Sequence, residues 1–164
     1  MSRLIGRALT PVLLERLSQR DLANRLGVAL PLFTLDRDGR PHPMLVSYLE
    51  IRAYDAGTIG LVIHAGTTST ANLAARDVAT LAIVEPDVVA YVKLRRLDGP
   101  LPVVEDPRLV YFLFAVEELR EDTTTAEEAG ARIVEGPRYA PVPALDSAWA
   151  RVTLAALATP RARA

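Results

Sequence analysis

The chain has 164 residues, half of them hydrophobic, with 19 basic against 20 acidic side chains and no cysteine. That apolar share suits one globular domain with its own core. A formal net charge of -1 gives no electrostatic case for nucleic acid, and the missing cysteines exclude disulfides, thiol catalysis and thiolate metal sites.

Residues 11–26 read as a helix. Pro11 suits a first turn, and Leu13, Leu14 and Leu17 form an apolar stripe. Ser18 and Asp21 resemble a capping box that could restart the helix, and Gly27 terminates it. Val28 to Leu35 predicts a strand, and Asp36 to Arg40 carries the Asp-Gly hairpin signal. Pro43 to Tyr54 reads as one long strand, with Leu45, Ser47, Leu49, Ile51 and Ala53 on one face. After a turn at Asp55–Thr58, Ile59 to His64 makes the third strand.

Thr68 to Arg76 predicts a short helix, Val78 to Val84 a fourth strand and Val88 to Arg96 a fifth, with Tyr91, Lys93 and Arg95 on one side. Leu109 to Leu119 is a sixth strand, apolar on both faces until Glu117 and Glu118. Both faces should be covered there, one by a barrel core and the other by a partner subunit. Thr124 and Thr125 can cap a helix running to about Glu135, and Pro137, Pro141 and Pro143 make a rigid connector. Leu145, Ala148, Trp149, Val152 and Ala156 mark one face of a last helix. The expected organisation is a single domain over residues 1–164, with an N-terminal helix at 11–26 and a helical C-terminal extension at about 124–158. Antiparallel strands with flanking helices favour a closed or partly closed barrel, which removes exposed edges.

No secretory leader is visible and no apolar run reaches about 18 residues, so a soluble, cytoplasmic protein without membrane contact is expected. His42 lies between two prolines, and His64 ends a strand beside Ala65 and Gly66. Two histidines without a carboxylate cluster do not predict a metal site. No serine sits in a nucleophile elbow, and no catalytic residue is assigned. The stretch Gly66 to Asn72 is richer, because free N–H groups at a helix start, joined by Thr67, Thr68, Ser69 and Thr70 hydroxyls, can hold an anion. Ordinary N-capping explains the same residues. Tyr91, Tyr111, Phe112, Phe114 and Trp149 could line a flat pocket or belong to the core. Lys93, the lone lysine among the 19 basic residues, could reach an anionic ligand or lie on a solvated face.

Two motifs in order, Asp38-Gly39-Arg40-Pro41 before a strand and Thr67-Thr68-Ser69-Thr70-Ala71-Asn72-Leu73 before Asp77-Val78-Ala79-Thr80-Leu81, resemble the pyridoxamine 5'-phosphate oxidase-like family. The resemblance covers about residues 22 to 96. It implies a mainly β fold with flanking helices, the FMN-binding split β-barrel, assembled as a homodimer with flavin mononucleotide at the subunit interface. It further implies an oxidoreductase of unassigned substrate. By this resemblance Met44, Leu45, Val46 and Ser47 line the isoalloxazine ring, and Ile63, His64 and Ala65 lie near the ring and ribityl chain. Thr68 and Ser69 fall where the family places basic phosphate ligands, just before Asn72, with Lys93 as a further contact.

That substitution matters. A charge-assisted hydrogen bond contributes roughly 1.5–3 kcal/mol against roughly 0.5–1.5 for a neutral one. Losing two costs roughly 10- to 1000-fold in affinity unless Arg76, Lys93 or a partner arginine compensates. The alternative is a split-barrel homodimer that has lost flavin or takes another planar ligand such as haem. The choice between FMN and a deazaflavin stays open, as does a purely structural or regulatory dimer.

Overall fold

In the computed structural model, which describes residues 2–122 and 133–162, the alternating apolar pattern resolves into one curved antiparallel sheet. Its strands are β1 (Ser2–Gly6), β2 (Ala29–Leu35), β3 (Pro41–Ser47), β4 (Ile51–Asp55), β5 (Thr58–His64), β6 (Val78–Glu85), β7 (Val88–Pro102) and β8 (Leu109–Asp122). The helices are α1 (Pro11–Leu17), α2 (Thr68–Ala75) and α3 (Ala148–Ala156), with a 3-10 turn at Leu22–Arg25. Strand order is β3-β2-β6-β7-β8-β5-β4, with β1 pairing the far end of β8. Among the described residues no helix is long and apolar enough to cross a membrane.

One apolar core draws on every strand from β2 to β8, including Leu30, Val46, Ile51, Ile59, Leu81, Val92 and Phe114. A sheet whose strands all feed one cluster must wrap around it. The two strands at the ends of the order, β3 and β4, are consecutive in the chain and joined by only Tyr48, Leu49 and Glu50. Three residues reach roughly 10 Å at most, so the two edges approach each other without sharing a ladder. The barrel is split at this turn. Leu13 and Leu17 of α1 enter the same core.

The long strand expected over 43–54 is therefore two strands. The turn also switches parity: Val46 points inward from β3, whereas Ile51 and Ala53 point inward from β4, and Leu45 points out. The expected common face of Leu45 with Ile51 and Ala53 does not exist. The helix expected over 11–26 stops at Leu17, because Gln19 adopts a positive φ of 66°. Gln19 instead sends its amide to the carbonyls of Tyr48, Leu49 and Ile51 at 3.0, 3.3 and 3.1 Å. The Ser18–Asp21 capping box does not form: Ser18 Oγ donates to the Glu15 carbonyl, and Asp21 makes no side-chain cap.

β8 is covered on both faces, but the second cover lies within the chain. Leu109, Tyr111 and Leu113 pack with Val62, Val103, Ala156 and Leu157 beneath α3. β1 has too little hydrophobic alternation to be expected from sequence and is held by its pairing to β8. The helix expected from Thr124 falls largely on residues 123–132, outside those described.

Candidate functional site

The sequence-derived cofactor residues fall into three groups. Val46 and Ile63 lie in the core, and Met44 is half-buried against it. Their side chains face the barrel interior. Leu45 is 50% exposed and points outward from β3, beside Pro31 and Pro43 on the β2–β3 hairpin. Together with Phe33, which is 37% exposed, it forms an apolar strip on the outer face of the sheet. His64 and Thr68 are exposed, and Ala65 is half-exposed.

The start of α2 is a satisfied helix cap. Thr67 Oγ accepts from the Thr70 N–H at 3.1 Å, and Thr70 Oγ donates to the His64 carbonyl at 2.5 Å. Ser69 is only 3% exposed, so its hydroxyl is poorly placed for a solvent-side anion. Asn72 donates to Thr34 Oγ at 3.0 Å, which in turn donates to the His42 carbonyl, fastening α2 to β2 and β3. Arg76 donates to the Arg37 carbonyl at 2.8 Å. Lys93 pairs with Glu118 at 2.8 Å on the outer face of the sheet. Thus the helix start presents Thr68 and neutral backbone donors, while Arg76 and Lys93 have partners elsewhere.

A cleft of about 280 Å³ opens at the split of the barrel. Leu45, Ser47 and Glu50 form one wall, the end of the 3-10 turn forms another, and Tyr139, Pro141, Pro143 and Trp149 close it. The proline connector is held there by backbone bonds. Ala29 N–H donates to the Pro137 carbonyl at 2.9 Å, and Tyr139 N–H to the Gly27 carbonyl at 2.7 Å. Gly136 permits this course, since a Cβ there would stand 2.0 Å from the Val84 carbonyl oxygen.

Sequence reasoning missed Glu50, which lay inside the single strand expected over 43–54. Ser47 donates to Glu50 Oε2 from its N–H at 2.7 Å and from its hydroxyl at 2.8 Å. Burial pushes the Glu50 carboxyl above the usual glutamate range, opposed by these bonds and by nearby His64. Burial, with Glu50 adding to it, also raises the Tyr139 phenol to about 12. A Ser-x-x-Glu spacing was the available signal, but the long-strand reading hid the turn that brings the two together. Of the five aromatic residues proposed for a flat pocket, Trp149 alone lines this cleft; Phe112 and Phe114 are core, and Tyr111 lies under α3.

Beneath the cleft lies a second charged group. Arg16 binds Glu85 at 2.7 Å and Asp87 at 2.6 Å, Arg25 sits 3.5 Å from Glu85, and the Tyr48 hydroxyl donates to Glu85. Two guanidinium groups thus meet two carboxylates through their terminal nitrogens, while the buried Nε of Arg16 and of Arg25 has no hydrogen-bond partner.

Architecture and strand order define the class: the chain has the split β-barrel fold of pyridoxamine 5'-phosphate oxidase-like proteins. Solved structures make the likeness specific. A candidate pyridoxamine 5'-phosphate oxidase from Lactobacillus delbrueckii aligns at TM-score 0.54 and 15% identity, over 73% of this chain and 98% of that one. HupZ of Group A Streptococcus aligns at TM-score 0.52 and 12% identity, over 76% and 99%. A candidate flavin reductase with a split-barrel domain from Shewanella frigidimarina aligns at TM-score 0.50 and 11% identity, over 69% and 76%. Neither a family model nor a curated protein matches the sequence.

Proposed function

We propose that this protein is a flavin-binding oxidoreductase that works as a homodimer, with FMN held at the subunit interface. The carrying observation is the outward apolar strip of Pro31, Phe33, Pro43 and Leu45, on a fold shared with a candidate flavin reductase. A flat apolar surface suits an isoalloxazine ring, and a second copy would bury what the ring leaves exposed. The chain's own fit to FMN is uneven. The ring side fits; the phosphate side offers the Thr68 hydroxyl and N–H groups of the first turn, all neutral. Bound flavin would supply hydride or electron transfer. Leu45 and its neighbours would seat the ring and exclude water, and Thr68 would orient the phosphate.

Neutral donors predict weak FMN binding. Thr68→Arg adds a cation at an exposed position and is expected to tighten FMN roughly tenfold, the difference between a neutral and a charge-assisted bond. Flavin fluorescence titration of both proteins measures it. Unchanged affinity removes the phosphate from this helix start.

The commitment of Arg76 and Lys93 to other partners favours a second reading, a barrel of the same fold that takes another planar ligand such as haem. A visible spectrum separates the two: a flavin absorbance band in one case and a Soret band in the other.

A further inference from the structure

We propose that the cleft at the split of the barrel binds a small organic ammonium ion carrying a flat apolar group, with Glu50 as the anionic partner of the ammonium. The site belongs to one chain; it shares Leu45 with the surface on which the flavin ring is placed, so it is tested without flavin.

Two charged side chains line the cleft, Arg25 and Glu50. The Arg25 guanidinium is engaged: it lies 3.5 Å from Glu85, 4.0 Å from Asp21 and 5.4 Å from the centre of the Tyr48 ring. Glu50 has no such counter-ion. Among the described residues no arginine or lysine comes within ion-pair distance of it. Both hydrogen bonds it receives come from Ser47 and end on Oε2, which leaves Oε1 without a hydrogen-bond partner among the described residues. Those bonds also fix the carboxylate in place, and a bond from a backbone N–H requires an acceptor oxygen, which favours the ionised form.

Besides Gly27 and Ser47, the remaining lining is apolar or aromatic: three leucines, Tyr48, Tyr139, Trp149 and two prolines. Such a wall takes an aromatic or alicyclic body, and the tyrosine and tryptophan faces also attract a cation. A site that is apolar around one fixed carboxylate selects a cation over a neutral or anionic molecule of the same shape, because the carboxylate gains a partner only from the cation. Gln19 anchors the carbonyls of the turn that carries Glu50, and the connector is bonded to Gly27 and Ala29, so the walls are pre-formed.

Trp149 is the lone tryptophan of the sequence and reports on the cleft directly. Flavin-free protein titrated with 2-phenylethylammonium should give a saturable change in tryptophan fluorescence. The isosteric 2-phenylethanol and the anion phenylacetate should bind at least roughly tenfold more weakly. Glu50→Gln, matched in shape, should weaken the ammonium by roughly 10- to 100-fold and leave the alcohol unchanged. Thermal melting checks that the variant is folded, and calorimetry repeats the wild-type series without relying on the variant. Equal affinity for alcohol and ammonium overturns the proposal. So does tighter phenylacetate binding, which would make Arg25 the anchor, or an unchanged ammonium affinity in Glu50→Gln. No saturable change with the ammonium overturns it too. None of these outcomes bears on FMN affinity, which the Thr68→Arg titration tests separately.

Discussion

Glu50 shows how a residue's chemistry is set by what surrounds it rather than by its type. Its carboxyl is pushed upward mainly by burial, with Ser47 and His64 pulling the other way, and Tyr139 is the other titratable group facing it. The sign for stability follows from linkage. An acid whose folded pKa exceeds its unfolded value keeps its proton in the native state after the unfolded chain has lost it. Its stability contribution is therefore lost as pH rises from the ordinary glutamate value through the raised one. Glu50→Gln removes that loss. Urea midpoints for the two proteins should coincide more closely in mild acid and diverge above the window, with the variant the more stable. A wild-type protein that gains on the variant as pH rises would reverse the sign. A residue that costs stability while its neighbours hold it in place is the usual mark of a site rather than of a scaffold.

At the scale of the element, the C-terminal helix does two jobs. Its inner face covers the outer side of β5 and β8, and its first turn brings Trp149 to the cleft. Hydrogen bonds tie its end down: Arg52 donates to the Leu157 carbonyl at 3.3 Å, and the Arg161 N–H donates to the Tyr111 hydroxyl at 3.2 Å. Leu157 is fully buried in this second cluster. Leu157→Ala should destabilise the protein by about 2–5 kcal/mol, as large-to-small changes in a packed core do. Because Trp149 belongs to both clusters, its emission should also shift to the red in the native baseline. Chemical denaturation followed by tryptophan fluorescence reads both effects. The break after α1 has a parallel role. Gln19 interrupts α1 so that its amide can satisfy three carbonyls of the β3–β4 turn, a side-chain answer to backbone groups that no ladder reaches.

For the whole molecule, the outer face of the sheet changes character from one side to the other. Phe33 pairs with Thr80, Thr80 with Lys93 and Lys93 with Glu118, so an apolar hairpin grades into ion pairs across successive strands. An exposed apolar strip on a sheet face is what a second copy would cover. Phe33→Glu places a charge in the middle of that strip without touching the core. It should convert the proposed dimer to a monomer in sedimentation velocity at micromolar concentration, and weaken FMN if the ring lies at the same interface. A Phe33→Glu protein that sediments as wild type would move the subunit contact elsewhere.

Much of this architecture was legible in the sequence for local reasons. Asp-Gly at a hairpin, hydroxyls ahead of a helix, the apolar residues of β5 to β7 and the apolar run of β8 are signals carried within a few residues, and each marked its element. The order of those elements favoured a closed or partly closed barrel, and the resemblance to the pyridoxamine 5'-phosphate oxidase-like family implied the split. What the sequence left open depends on contacts between distant segments. Whether residues 43–54 make one strand or two rests on Gln19 reaching across from the end of α1. Whether β8 is covered by a partner or by its own chain rests on α3 folding back. The role of Glu50 rests on a turn and on a connector some ninety residues away, which together remove it from water. Periodicity records which face of an element is apolar. Tertiary packing alone decides which segment meets that face, and therefore which polar group is left inside a cleft.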